Sequence, residues 1–116
     1  MLLHLGVLYI LMIVTSAGEF QCNVCRCYYT EPTTFMDCSD LELDWLPVID
    51  EMVAFTLTTV YLKNNNITIL DTDILETWDV LNFLDISKNP LNCDELVKLP
   101  SDVEVVSDCI KTNESK

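Results

Sequence analysis

One pattern occurs twice between Leu57 and Leu91. Leu57, Val60, Leu62, Asn65 and Ile67 are each followed, 24 residues later, by Leu81, Leu84, Ile86, Asn89 and Leu91. A unit of this length cannot bury its apolar face alone and must stack on a neighbour, which is how a solenoid forms. Alternation puts Val60 and Leu62 on one side of a short strand and Tyr61 and Lys63 on the other. Asn65 follows where the chain must turn, and its carboxamide can bond main-chain groups that a buried corner leaves without partners. Ile67, Leu70, Ile74, Leu75 and Trp78 then return the chain along one apolar stripe.

The N-terminal segment has a different character. Leu2 to Val14 is an apolar run interrupted by His4 and Gly6, and the small residues Thr15-Ser16-Ala17-Gly18 follow it. This reads as a secretory signal, with a buried N-terminal helix as the alternative. The run is shorter than the roughly 20 apolar residues that a bilayer span needs, and no later stretch is long and apolar enough. The expectation is a secreted, extracellular chain without a membrane span.

About a hundred residues remain, one domain with little room for a core. Cys22, Cys25, Cys27, Cys38, Cys93 and Cys109 all lie in it. An even cysteine count in an exported chain implies disulfides, with fifteen connectivities open from sequence alone. Zinc is the rival for Cys22-x-x-Cys25, but an oxidising destination and the lack of a second such pair favour disulfides.

Written as LxxVYLKNNNI and LxxLDISKNPL, the two copies resemble the leucine-rich repeat, LxxLxLxxNxL. The run Cys22-x-x-Cys25-x-Cys27, then Cys38-Ser39, Leu43, Leu46 and Pro47, resembles the cysteine-rich N-terminal flank of extracellular members of that family. Asn89-Pro90-Leu91-Asn92-Cys93 resembles their C-terminal flank, with Leu91 where a tryptophan is usual and Asp94-Glu95 where a second cysteine is usual. The resemblance implies disulfides Cys22–Cys27 and Cys25–Cys38, leaving Cys93 for Cys109. It also implies an α/β solenoid: a short leucine-rich-repeat parallel sheet of two 24-residue repeats with disulfide-bonded caps at both ends. The divisions are a signal peptide at 1–18, an N-terminal cap and link at 19–56, the repeats at 57–91, and a reduced C-terminal cap and tail at 92–116. In architecture the chain is similar to the smallest extracellular members, such as the small subunits of the platelet glycoprotein Ib complex.

In such a fold the outward strand residues lie side by side on a concave surface and bind a partner. The period predicts rows Phe35, Thr59, Phe83; Asp37, Tyr61, Asp85; Ser39, Lys63, Ser87; and Asp40, Asn64, Lys88. From these, Phe35, Asp37, Thr59, Tyr61, Lys63, Phe83, Asp85 and Lys88 are the candidate partner-binding residues. Aromatics serve as anchors and acids select basic partners; packing of Tyr61 and Phe83 on neighbouring strands is the plainer reading.

Nineteen acids against six Lys and Arg give a net charge of −13, which repels nucleic acid and anionic membranes and favours a basic protein ligand. His4 is the single histidine and lies in the expected signal, and six paired cysteines leave no thiolate, so nucleophilic catalysis has no evident residues. Asp37 and Asp85 could pair for acid and base work only across a cleft. Asp71-x-Asp73 with Glu76 lacks the glycine and spacing of a calcium loop and reads as surface. No enzyme activity, metal or cofactor is expected. Asn66-Ile67-Thr68 and Asn113-Glu114-Ser115 are candidate N-glycosylation sites at Asn66 and Asn113. The function expected is a monomeric soluble ligand, decoy or accessory recognition subunit; the alternative is a matrix protein that self-associates through its incompletely capped end.

Overall fold

The structure, a computed structural model, describes residues 18–109. The expected signal up to residue 17 and the sequon at Asn113 lie outside the described residues. Six strands, β1 (Gly18–Cys22), β2 (Cys25–Thr30), β3 (Thr33–Asp37), β4 (Leu57–Tyr61), β5 (Phe83–Asp85) and β6 (Glu104–Val106), form one sheet in chain order. The first two pairings are antiparallel and the last three parallel. Three short helices lie between strands: α1 (Glu51–Ala54), α2 (Thr72–Thr77) and a 3₁₀ helix, Cys93–Lys98.

This sheet corrects the expected fold class. The chain is a small domain built on one mixed six-stranded sheet, not a repeat solenoid with a parallel sheet closed by separate caps. Two copies fall below the roughly three repeats that a solenoid needs to hold together. The flanking segments instead join the sheet as strands. On one side β1, β2 and β3 run as an antiparallel meander, and on the other β6 pairs directly with β5. The sequence reading placed no strand at Glu104–Val106.

What the 24-residue spacing does set is register. Phe35 lies opposite Thr59 and Thr59 opposite Phe83; Met36, Val60 and Leu84 align likewise, as do Asp37, Tyr61 and Asp85. The inner row of that register is the centre of the core. Met36, Val60 and Leu84 are fully buried, together with Leu57, Leu62, Ile67 and Leu70, and burying such a side chain contributes roughly 1.5–3 kcal/mol. Cys27 continues the row beyond Met36.

Corners repeat with the same period. Asp40, Asn64 and Lys88 have φ of 61°, 62° and 56°, so the chain leaves each parallel strand through a left-handed residue. Asp and Asn tolerate that conformation better than most side chains, whereas Lys does so at a cost. One position further on, Asn65 Oδ1 accepts from the Leu41 and Leu43 N–H groups at 3.0 and 2.9 Å, while its Nδ2 donates to the Cys38 and Leu62 carbonyls at 2.9 Å each. Asn89 accepts from Ile67 N–H and donates to the carbonyls of Leu62, Ile86 and Ser87. These two amides satisfy backbone groups that the turns remove from water.

Each helix start is capped by a side-chain oxygen. Asp50, Asp71 and Asn92 accept from the N–H groups of Met52, Asp73 and Asp94 at 2.8, 2.8 and 3.1 Å. Asp71, one of the three acids weighed for calcium, thus serves as a helix cap. The 3₁₀ helix ends where Pro100 approaches.

All six cysteines are closed, as Cys22–Cys27, Cys25–Cys38 and Cys93–Cys109, the same pairs that the family resemblance implies. Three disulfides in a domain of this size fit an extracellular location. No helix among the described residues is long and apolar enough to cross a membrane.

Candidate interaction face

The face of the sheet opposite the core carries two rows that cross all six strands. The first runs Glu19, Tyr28, Phe35, Thr59, Phe83, Glu104, and the second Gln21, Arg26, Asp37, Tyr61, Asp85, Val106. Among the described residues no helix covers this side: Phe35 is 45% exposed, Tyr28, Asp37 and Val106 are exposed, and Thr59, Tyr61, Phe83 and Asp85 are half-buried. Strand alternation is the cause, since the residues between them, Cys27, Met36, Val60 and Leu84, turn inward.

Four aromatics therefore share one solvent-facing surface. The rings of Tyr61 and Phe83 are 5.7 Å apart, centroid to centroid, at an interplanar angle of 57°. This tilted contact lies within the favoured range for aromatic pairs and holds both rings in place. Packing between strands and presentation to a partner are thus compatible here.

The carboxylates around the aromatics are oriented by their own turns. Asp37 Oδ1 accepts from Ser39 N–H at 3.0 Å, and Asp85 Oδ1 accepts from both Ser87 N–H and Ser87 Oγ at 3.0 and 2.6 Å. Among the described residues, neither carboxylate has a Lys or Arg within ion-pair distance. Arg26 pairs instead with Glu19 at 2.8 Å. Its guanidinium is held above the ordinary value first by a hydrogen bond to the Tyr28 hydroxyl and then by Glu19. A cleft of about 710 Å³ opens beside this pair, lined in part by Arg26, Asp37, Ser39 and Asp40.

The other expected contacts fall further along the same strands. Lys63 is exposed between half-buried Ser39 and buried Ser87. Asn64 Nδ2 donates to Asp40 Oδ1 at 2.7 Å, so that row is bonded together, and exposed Lys88 sits at its third corner, where its backbone N–H donates to Asp108. Asn66 and Thr68 are both exposed, and the Asn66 backbone N–H donates to the Leu43 carbonyl at 2.8 Å.

Sequence reasoning missed Glu19, Gln21, Arg26, Tyr28, Glu104 and Val106 on this face. The alternation of Arg26 and Tyr28 with Cys25 and Cys27 was the available signal for β2. It also missed an apolar ridge from Trp45 through Val48 and Met52 to Phe55, each more than half exposed, on the segment leading into and through α1. Comparison of the chain with protein-family models, curated proteins and solved structures found no match.

Proposed function

We propose that the chain is a secreted recognition module of the leucine-rich-repeat kind that binds a basic protein through the outer face of its sheet, and that it is not an enzyme. The observation that carries this reading is the row system itself, over which no helix lies among the described residues and in which Tyr28, Phe35, Tyr61 and Phe83 stand among Glu19, Asp37, Asp85 and Glu104. Rigid aromatics supply contact area with little loss of side-chain freedom, and the surrounding acids select a cationic partner and speed its approach. A chain charge of −13 acts in the same sense and opposes self-association.

The test is cross-linking capture from extracellular fluid of the producing organism, with wild-type protein beside Tyr61→Ala/Phe83→Ala and Met52→Ala/Phe55→Ala. The reading expects a basic protein that the first variant loses and the second retains. Loss with the second variant alone would move the binding surface to the apolar ridge and overturn the reading.

A further inference from the structure

We infer that the outer face holds an arginine side chain of its partner over Tyr61, between the carboxylates of Asp37 and Asp85. This rests on the reading of that face as a protein-binding surface and names the chemistry of the contact at its centre. Tyr61 lies on β4 with Asp37 directly beside it on β3 and Asp85 directly beside it on β5. At normal strand spacing the two acids stand about 9–10 Å apart, one on each flank of the ring.

A guanidinium laid over the tyrosine face gains cation–π attraction, which acts within about 6 Å of the ring centroid. Its N–H groups then point outward in its own plane, toward carboxylates on two sides. An ammonium is a point charge that cannot stack and bridge at once, so the site distinguishes arginine from lysine.

Three details favour an occupant from outside the chain. Each carboxylate has one oxygen fixed by a serine turn, Asp37 by Ser39 and Asp85 by Ser87, which presets its direction while leaving Oδ2 without a side-chain or backbone donor among the described residues. Arg26, the single arginine of the chain and the cross-strand neighbour of Asp37, makes its ion pair with Glu19 and not with Asp37. Lys63, two positions beyond Tyr61 on the same face, makes no ion pair with either acid. The face thus has negative charge on both sides of an aromatic floor, and among the described residues no Lys or Arg forms an ion pair with either acid.

The experiment is an NMR titration of the purified, disulfide-intact protein with a capped Gly-Arg-Gly peptide, its citrulline counterpart and Gly-Lys-Gly. The arginine peptide is expected to shift the amides of Asp37, Tyr61 and Asp85 with saturable millimolar affinity. The citrulline peptide should leave them unmoved, and the lysine peptide should bind several-fold more weakly. Asp37→Asn/Asp85→Asn keeps the serine turns and should raise the dissociation constant about fivefold to tenfold. Equal shifts from the arginine and lysine peptides, or shifts spread over acids elsewhere, would overturn the arginine site. The capture experiment separates the two failures: a partner still lost by Tyr61→Ala/Phe83→Ala, with no arginine selectivity, leaves the face in place and removes only this contact.

Discussion

Asn65 and Asn89 meet at one atom, the carbonyl oxygen of Leu62, to which each donates from its side-chain amide at 2.9 Å. The first bond closes a turn and the second reaches it from the next turn. The 24-residue spacing is thereby converted into a hydrogen-bonded link between successive corners. Asn65 is 6% exposed and makes the fuller set of bonds, and Asn89 is half-buried.

Asn65→Ala should therefore cost about 1–3 kcal/mol, because it strands the Leu41 and Leu43 N–H groups and the Cys38 carbonyl. Asn89→Ala should cost less, since water reaches its corner. Urea unfolding of both variants with disulfides intact checks the order; equal stability of Asn65→Ala and wild type would remove the ladder from the account.

Lys88 occupies the left-handed corner where Asp40 and Asn64 stand in the preceding turns. Its backbone N–H is bound by Asp108, so the side chain can be changed without removing that bond. Lys88→Asn should raise the melting temperature, and Lys88→Val should lower stability by about 1–2 kcal/mol through the clash of a branched side chain at positive φ. The opposite order would show that this corner relaxes freely.

Glu95 and Lys98 clasp one residue of the neighbouring turn: Glu95 accepts the Leu70 N–H at 2.8 Å and Lys98 donates to the Leu70 carbonyl at 3.1 Å. The Lys98 ammonium first, and the Leu70 N–H second, hold the Glu95 carboxyl below its ordinary value. A carboxylate depressed in the folded state stabilises the fold above its unfolded value and loses that contribution as pH falls through the folded one. The effect is thus full near neutrality and fades from about pH 4.5 downward. Glu95→Gln should lower the melting temperature at pH 7 and flatten its fall in that acid window. Parallel melting curves for the two proteins would show that Glu95 is not a source of the acid response.

Asn66 stands exposed one residue beyond the Asn65 corner, with Thr68 accessible two positions on. Protein secreted from a eukaryotic host should lose mass at Asn66 on enzymatic deglycosylation, and Asn66→Gln should abolish that loss while leaving stability unchanged. An unmodified Asn66 in such a sample would count against glycosylation at this corner.

Much of the strand register was legible in the repeat, because inward residues at a constant spacing must align once the strands pair. Met36, Val60 and Leu84 show this, as do Phe35, Thr59 and Phe83 beside them. The architecture was not legible in the same way. A local pattern between Leu57 and Leu91 says nothing about the direction in which β1 and β2 run, and that direction follows from the tight connection at Asn23 and the short tethers Cys22–Cys27 and Cys25–Cys38. β6 was hidden for a similar reason: Glu104-Val105-Val106 is too short for periodicity to announce it. On the candidate face, the repeat located Tyr61 and Phe83, whereas Tyr28 and Arg26 came into view only once β2 was paired with β3.

Hydroxyl-radical footprinting of the purified complex with the captured partner tests the central claim most directly, because it reads side-chain burial one residue at a time. Binding through the outer face predicts protection of Tyr28, Phe35, Tyr61 and Phe83, with Trp45, Met52 and Phe55 oxidised as in the free protein. Protection of Trp45, Met52 and Phe55 with unchanged oxidation of the four sheet aromatics would contradict it.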